Sequence, residues 1–325
     1  MTGRNLAIAA AILALAAVPY VIKEAYYVNV ASQILLYAIF ALGLNVLVGY
    51  AGLVSLGHAG LFGVASYVVA SVLAAGYGHS AAIVSALAVG LLFTAGFAAL
   101  SLRATGISFI MITLALGEIL WGVAYRWISL TNGDNGISVT SRPMPFGLAL
   151  GSANAFYDMT LVIFLAAVGA SAIFVRSPFG ATLAGTRDQP RRMNALGYHV
   201  WMIRFGAFMF SGLLTCVAGI LFVYYNKFIS PQTLALTASA EALLMVISGG
   251  AGTLLGPIVG AGIVVIMKNV VSAYIVRWNF MLGAIFVAIV VFMPEGLVPG
   301  AARLFRSAVR SMGRTRPVPT AERTP

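Results

Sequence analysis

The stretch SPFGATLAGTRDQPRRMNALGY, Ser177–Tyr198, is the longest strongly polar island between apolar runs in this chain. Arg176, Arg187, Asp188, Arg191 and Arg192 stand at or near its ends and centre. Its helix punctuation is legible. Ser177 can cap a first helix with Pro178 at its first position, where the missing N–H costs nothing. Asp188 can cap a second short helix with Pro190 inside the first turn, and Gly197 is placed to end it in a left-handed conformation. Apolar runs flank the island on both sides, so a compact helix–turn–helix loop at a membrane surface is expected. Two readings of that loop stand at this point. One is a docking surface for another protein. The other is a solvated basic loop that only fixes orientation through the positive-inside rule.

Outward from the island the chain is oily. Hydrophobic residues make up 61% and charged residues 8%, against about 25% charged in soluble domains. The fold class is therefore an all-α integral membrane protein. No polar block is large enough to fold alone, so residues 1–300 read as a single membrane domain carrying the loop at 177–200. A basic tail follows over 301–325. The net charge of +11 sits at span ends and in the tail, which fits anionic head groups and orientation and not nucleic acid. Cys216 is the single cysteine, so no disulfide within the chain is possible.

In chain order, Leu6–Ile22 reads as a retained first span and not as a signal peptide, because Val18-Pro19-Tyr20 is a poor cleavage site. Ala31–Tyr50 is a second span. VGYAGLVSLGHAGLFGVASYVVA, Val48–Ala70, is a third, with Gly49, Gly52, Gly57, Gly60 and Gly63 crowded together. Glycine lowers helix stability by up to about 1 kcal/mol against alanine. Such crowding fits either an unwound pathway segment or close helix packing through small residues. Asn45, Ser55 and His58 are the polar groups there, and a lone histidine is more often a hydrogen-bonded structural group than a ligand. No second His, Cys or carboxylate is spaced to make a metal site.

Ala81–Leu102, Ile107–Ile128, Tyr157–Val175 and Phe205–Tyr225 continue the spans. Glu118 lies mid-span, where an ionisable group is costly and is either functional or satisfied by a neighbouring helix. Thr131–Phe156 is a loop with the turn signals Asn132-Gly133 and Asn135-Gly136. ASAEALLMVISGGAGTLLGPIVGAG, Ala238–Gly262, repeats the earlier pattern with Gly249, Gly250 and Gly252, so the two Gly-broken helix pairs suggest an internal duplication. Glu241 at the start of the second pair is either functional, by the argument that applies to Glu118, or a cap for a helix start in the head groups, and the cap is the expected role. Phe280–Met293 is the last span, with Trp278 as an interfacial anchor. Arg303, Arg306, Arg310 and Arg314 fall at helical spacing, as in a short amphipathic helix, and 316–325 is expected to lack order. About ten spans, with both termini on the cytoplasmic side, reconcile the positions of Arg4, Arg103, the Arg176–Arg204 island and the tail.

Missing chemistry narrows the function. No GxxxxGK[ST] loop precedes Lys23, Lys227 or Lys268, so no P-loop ATP hydrolysis is expected of this chain. No GxSxG elbow or HExxH helix occurs either. With eight carboxylates in all, the ionisable relay that a proton-driven carrier needs is thin. An enzyme is therefore disfavoured, and a self-contained secondary carrier or channel for a small polar solute stands as the alternative to a permease powered by other chains.

Three blocks carry a resemblance. GLNVLVGYAGLVSLGHAGLFGVASY (Gly43–Tyr67) resembles the signature of the branched-chain amino-acid ABC transporter permeases, the LivM-type membrane subunits. EALLMVISGGAGTLLGPIVGA (Glu241–Ala261) resembles their second Gly-rich block, and SPFGATLAGTRDQPRRMNALGYHV (Ser177–Val200) their cytoplasmic loop. The resemblance implies an inner-membrane ABC importer subunit that binds no cofactor itself. Its implied partners are a second permease, two ATPase subunits that use the ATP, and a periplasmic or lipid-anchored substrate-binding protein. It implies a coupling helix built from Arg187, Asp188, Arg191, Arg192, Ala195, Leu196 and Gly197. It implies a pathway near Asn45, Gly49, Gly52, Ser55, His58, Glu118, Gly249, Gly250 and Gly252. The family usually has an acidic, Ala-rich run before the Leu-Gly. Here Asp188–Asn194 is more basic. Relatives of the family carry urea or short amides as well as leucine, isoleucine and valine.

Overall fold

The computed structural model describes residues 13–21, 24–139, 152–274, 278–293, 295–301 and 303. Residues 13–21 form α1. Helix α2 (Ala25–Asn45) passes into a π turn, Val46–Ala51. After an irregular segment come α3 (His58–Ala74), α4 (His79–Ser101) and α5 (Ile107–Arg126), then the single turn α6 (Ile128–Thr131). Helix α7 (Ala153–Arg176) leads into the short pair α8 (Pro178–Asp188) and α9 (Pro190–Ala195). The long α10 (Val200–Asn226) follows, then α11 (Leu236–Gly249), α12 (Gly256–Ile266) with a π turn at Met267–Val271, the turn α13 (Ser272–Tyr274) and α14 (Trp278–Phe292).

Two features mark opposite ends of the bundle. At one end β1 (Ile137–Ser138) pairs antiparallel with β2 (Phe228–Ile229). At the other end lie α8 and α9. These are called the hairpin end and the loop end below.

Among the described residues, five helical stretches are long and apolar enough to cross a membrane: Ala25–Ala51, α4, α5, α7 and α10. Their burial separates centre from rim. The stretches through α2 and α10 are 78% and 67% buried, whereas α4, α5 and α7 are 22–28% buried. The outer helices turn Leu92, Ile119 and Val162 outward, as expected where the solvent is hydrocarbon. Around α2 and α10 the core packs Leu36, Ile39, Phe40, Phe62, Leu214 and Met245.

Helices α3, α11 and α12, at 17, 14 and 11 residues, are short for a bilayer. At about 1.5 Å per residue each falls below the roughly 30 Å of a hydrocarbon core. Each adjoins an irregular segment, and the backbone groups of those segments must be satisfied inside the protein.

The third span differs from the sequence expectation. Val48–Ala51 belongs to the π turn of α2, the irregular segment is residues 52–57, and the helix restarts at His58 and runs to Ala74. Glycine crowding marks the reversal correctly, but it cannot say on which side of the reversal each glycine falls. Residues 6–12 and 22 of the expected first span, residues 140–151 of the 131–156 loop, the Trp278 side chain and the tail beyond Arg303 lie outside the described residues.

Candidate functional site

The loop at 177–198 folds as its punctuation dictates, with one exception. Ser177 caps α8, its Oγ accepting from the Gly180 N–H at 3.2 Å, with Pro178 in the first turn. Helix α9 ends in a Schellman arrangement. Gly197 has φ +87°, its N–H donates to the Asn194 carbonyl, and the Tyr198 N–H donates to the Met193 carbonyl. The exception is Asp188. It is the last residue of α8, exposed and 3.8 Å from the Arg187 Nε, and Gln189 occupies the cap position of α9 without a side-chain bond. The extended link between the helices is one residue, so Asp188 is absorbed into the first helix before it can cap the second.

Helix α9 buries none of its residues. Arg191, Arg192 and Ala195 are exposed. Leu196 and Met202 are each 65% exposed, beside the exposed Tyr198 and Trp201. The loop and the first turn of α10 thus present a mixed basic and apolar surface.

Its inner side reaches into the helix reversals. Arg187 Nη1 donates to the Gly49 carbonyl at 2.6 Å. Arg204 of α10 donates to the Thr186 carbonyl at 2.8 Å and holds the end of α8 in place. The aliphatic part of Arg187 lies against Gly52, which ends the π turn at φ +69°.

There the two Gly-broken segments meet. A Cβ on Gly49 would overlap the backbone nitrogen of Gly252. Asn45, 1% exposed, joins them with both ends of its amide. Its Oδ1 accepts from the Gly252 N–H at 2.9 Å and its Nδ2 donates to the Thr253 carbonyl at 2.9 Å. Gly252 itself adopts φ +81°, a region that residues with a Cβ enter only at a cost. Gly250, at φ +119°, packs against Pro299, and a Cβ on Gly249 would collide with the Gly256 carbonyl.

Side chains also satisfy the donors of the first reversal. The Leu56 N–H donates to Thr113 Oγ1, the Gly57 N–H to Ser55 Oγ and the Ala59 N–H to Ser239 Oγ. Ser55 and His58 are fully buried. The Ser211 hydroxyl donates to the Gly43 carbonyl at 2.6 Å, so its oxygen accepts from His58 Nε2–H at 2.9 Å. His58 Nδ1 then accepts from the Ser55 hydroxyl at 2.8 Å. This network assigns the Nε2–H tautomer and leaves neither ring nitrogen free. His58 and Ser55 therefore tie α2, α3 and α10 together. Glu118 lies half-buried on α5, with no ion pair or hydrogen bond among the described residues.

Glu241 departs from its expected role. It is the sixth residue of α11, whose start at Ala235 carries no side-chain cap. Its carboxylate pairs with Lys268, with Nζ 3.0 Å from Oε2 and 3.3 Å from Oε1. The pair faces a cavity of about 270 Å³ together with Tyr37, Phe40, Phe62 and Phe222. Sequence reasoning passed over Lys268 because it sits in an apolar run. The signal that would have found it is that run's lone positive charge, which an intramembrane segment tolerates only with a partner.

No three or more His, Cys, Asp or Glu side chains cluster as a metal site among the described residues. The sequence profile described as branched-chain amino acid transport system / permease component matches residues 26–290. The high-affinity branched-chain amino acid transport system permease protein LivM of Escherichia coli K12 is 30% identical over 298 residues, covering 84% of this chain and 70% of the relative. Its counterpart in Salmonella typhimurium LT2 is 31% identical over 302 residues, with the same coverage. The autoinducer 2 import system permease protein LsrC of Escherichia coli O9:H4 is 29% identical over 242 residues, covering 71% of this chain and 68% of the relative. No solved structure matches the chain. With the profile spanning both reversals and the loop between them, and LivM relatives 30–31% identical over 84% of this chain, the chain belongs to the branched-chain amino acid transport system permease family.

Proposed function

We propose that this chain is the membrane-spanning subunit of an ABC importer for branched-chain amino acids. It forms the pathway with a second, related permease, two separate ATPase subunits supply the power, and a periplasmic or lipid-anchored binding protein delivers the solute. The observation that carries the reading is the α8–α9 loop. It exposes Arg191, Arg192 and Leu196 to a partner on its outer side. On its inner side it reaches the Gly49 carbonyl where the two helix reversals meet. A loop that only fixed orientation would need neither feature.

The loop end is the cytoplasmic side by its arginines: Arg103, Arg176, Arg187, Arg191 and Arg192. Ten crossings fit this orientation, with α1, α3, α11, α12 and α14 added to the five long stretches and both termini in the cytoplasm of a bacterial inner membrane. The branched-chain substrate is supported by the names of the LivM relatives.

The test is to express the chain with its partner subunits and compare it with a variant in which 187–197 is a Gly/Ser linker. An ATPase that co-purifies with the native chain and is lost with the linker, together with ATP-driven uptake of L-leucine into liposomes, is the expected result. A native chain that purifies alone and moves solute without ATP overturns the reading.

A further inference from the structure

We propose that the cavity between α2, α3, α10 and α11 is a binding subsite for a zwitterionic amino acid with an apolar side chain, which Glu241 and Lys268 hold by its two charged ends. The inference rests on the reading of the chain as an amino-acid permease and names the groups in this subunit that touch the solute.

The cavity, at about 270 Å³, has room for roughly nine waters at about 30 Å³ each. That is the scale of one small amino acid. Its walls divide by chemistry. One side carries the Glu241–Lys268 pair, with side chains 23% and 37% exposed. The other is an aromatic ladder in which Phe62 lies 4.8 Å from Phe40 and 5.2 Å from Phe222, centroid to centroid. Gln232, Thr233 and Thr237 line it at the hairpin end, where β2 gives way to α11. Ala242 and Met245, both buried, line it further along α11.

The charges decide the ligand class. An ion pair held away from water is weak evidence of stabilisation, because desolvation offsets its attraction. This pair instead lies open to a cavity, and the π turn at Met267–Val271 carries Lys268, a local irregularity frequent at functional sites. The pair is neutral overall, so a lone anion or cation would leave one partner unpaired. A zwitterion leaves neither. Its carboxylate takes up Lys268 and its ammonium takes up Glu241, so every charge stays matched as the internal pair opens. The aromatic ladder then accepts the apolar side chain.

The test uses the assembled complex in detergent, without the binding protein, so that selectivity there cannot mask the subsite. Thr237→Cys places a thiol on the cavity wall, while the native Cys216 is buried. L-leucine is expected to slow labelling of that thiol by a small thiosulfonate. 4-methylpentanoate, which lacks the ammonium, and 3-methylbutylamine, which lacks the carboxylate, are expected to leave the rate unchanged. Glu241→Gln or Lys268→Met should raise the half-protecting concentration roughly 10- to 100-fold, the scale of a lost charged hydrogen bond. If an unpaired charge stops the single variants from assembling, the double variant Glu241→Gln with Lys268→Gln leaves no charge and should fold but give no protection. Protection that persists in the double variant overturns the proposal. So does absence of protection in a native preparation that takes up L-leucine with ATP, and that result leaves the importer reading standing. Protection retained in a complex whose ATPase is active but which takes up no L-leucine counts the other way, for the subsite and against the importer reading.

Discussion

Arg187 of α8 donates a hydrogen bond to the Gly49 carbonyl in the π turn of α2, 2.6 Å away across 138 positions of sequence. That carbonyl is free to accept because the π turn is the last of α2 and the chain reverses after it. Gly49 in turn backs directly on Gly252, and Asn45 bridges to Gly252 and Thr253. One guanidinium therefore connects the loop surface to both Gly-broken segments within a few bonds. A shift of α8 moves a positive charge against the point where two helix pairs touch.

Arg187→Ala is expected to separate ATP hydrolysis from transport. The side chain is 51% exposed, so its loss should cost the fold less than about 1 kcal/mol after solvent screening. The carbonyl contact is lost outright. Uptake of L-leucine should fall about tenfold or more, equivalent to at least about 1.4 kcal/mol of coupling, while the complex still assembles and hydrolyses ATP. Arg187→Lys, a shorter point charge without the planar fork, should recover part of the uptake. Measuring both rates in the same liposomes decides it. An equal fall in both would place Arg187 in docking and not in transmission.

Gly49→Ala should be among the most damaging small substitutions in the chain. The added methyl overlaps the Gly252 nitrogen and lies against Asn45 Oδ1, and backbone cannot move aside as a flexible side chain does. Overpacking of this kind costs about 1–3 kcal/mol or more. Gly122→Ala and Gly169→Ala are the controls, since a Cβ at either meets nothing within 4 Å. Those two should be neutral or stabilising by up to about 1 kcal/mol from helix propensity. Thermal unfolding of the three variants side by side reads the difference.

Asn45→Ala removes two buried hydrogen bonds and strands the Gly252 N–H and the Thr253 carbonyl. Each unsatisfied buried group costs about 1–3 kcal/mol, so a loss of roughly 2–5 kcal/mol is expected. Asn45→Asp keeps the acceptor, loses the donor and brings a charge into a dry junction, and should do no better. Cys216 gives the readout. It is the sole cysteine and fully buried, so a thiol-reactive fluorogenic dye reports unfolding as the thiol becomes accessible. A melting midpoint unchanged from the native protein would mean that the bridge is redundant with the packing around Gly49.

What was legible in the sequence follows from which interactions are local. Composition alone makes the chain an all-α membrane protein. Ser177 and Gly197 act on their own neighbours, so α8 and the end of α9 could be read from them. Glycine crowding located both reversals. Nothing local shows that Gly49 faces Gly252 or that Asn45 spans the gap, because those partners lie more than 200 positions apart. Glu241 was misread for the same reason. Its partner is 27 positions away, beyond a reversal, and without Lys268 in view a carboxylate near a helix start resembles a cap. The hydrogen-bond chain of His58, through two hydroxyls (Ser55 and Ser211) and the Gly43 carbonyl, depends on α10, which no spacing in the Gly-rich block encodes.

The outer face of the loop makes the last prediction. Leu196 lies on it, 65% exposed, at the end that carries the arginines and between α9 and the start of α10. Lipid is a poor account of its exposure, because Arg191 and Arg192 are exposed on the same short segment. An apolar residue ringed by basic ones is the pattern of a docking anchor, where a few buried contacts carry most of the binding energy. Leu196→Ala should therefore weaken ATPase association by about 1–3 kcal/mol, the scale of an apolar side chain leaving a pocket. That is roughly 5- to 150-fold in affinity. The chain's own melting point should not move, because the side chain touches little within the chain. Arg191→Ala with Arg192→Ala should slow association and make it less dependent on salt, with a smaller effect on dissociation. Titrating the purified ATPase onto the permease in nanodiscs at two salt concentrations separates the two effects. Equal affinity for Leu196→Ala and the native chain would move the docking site off α9.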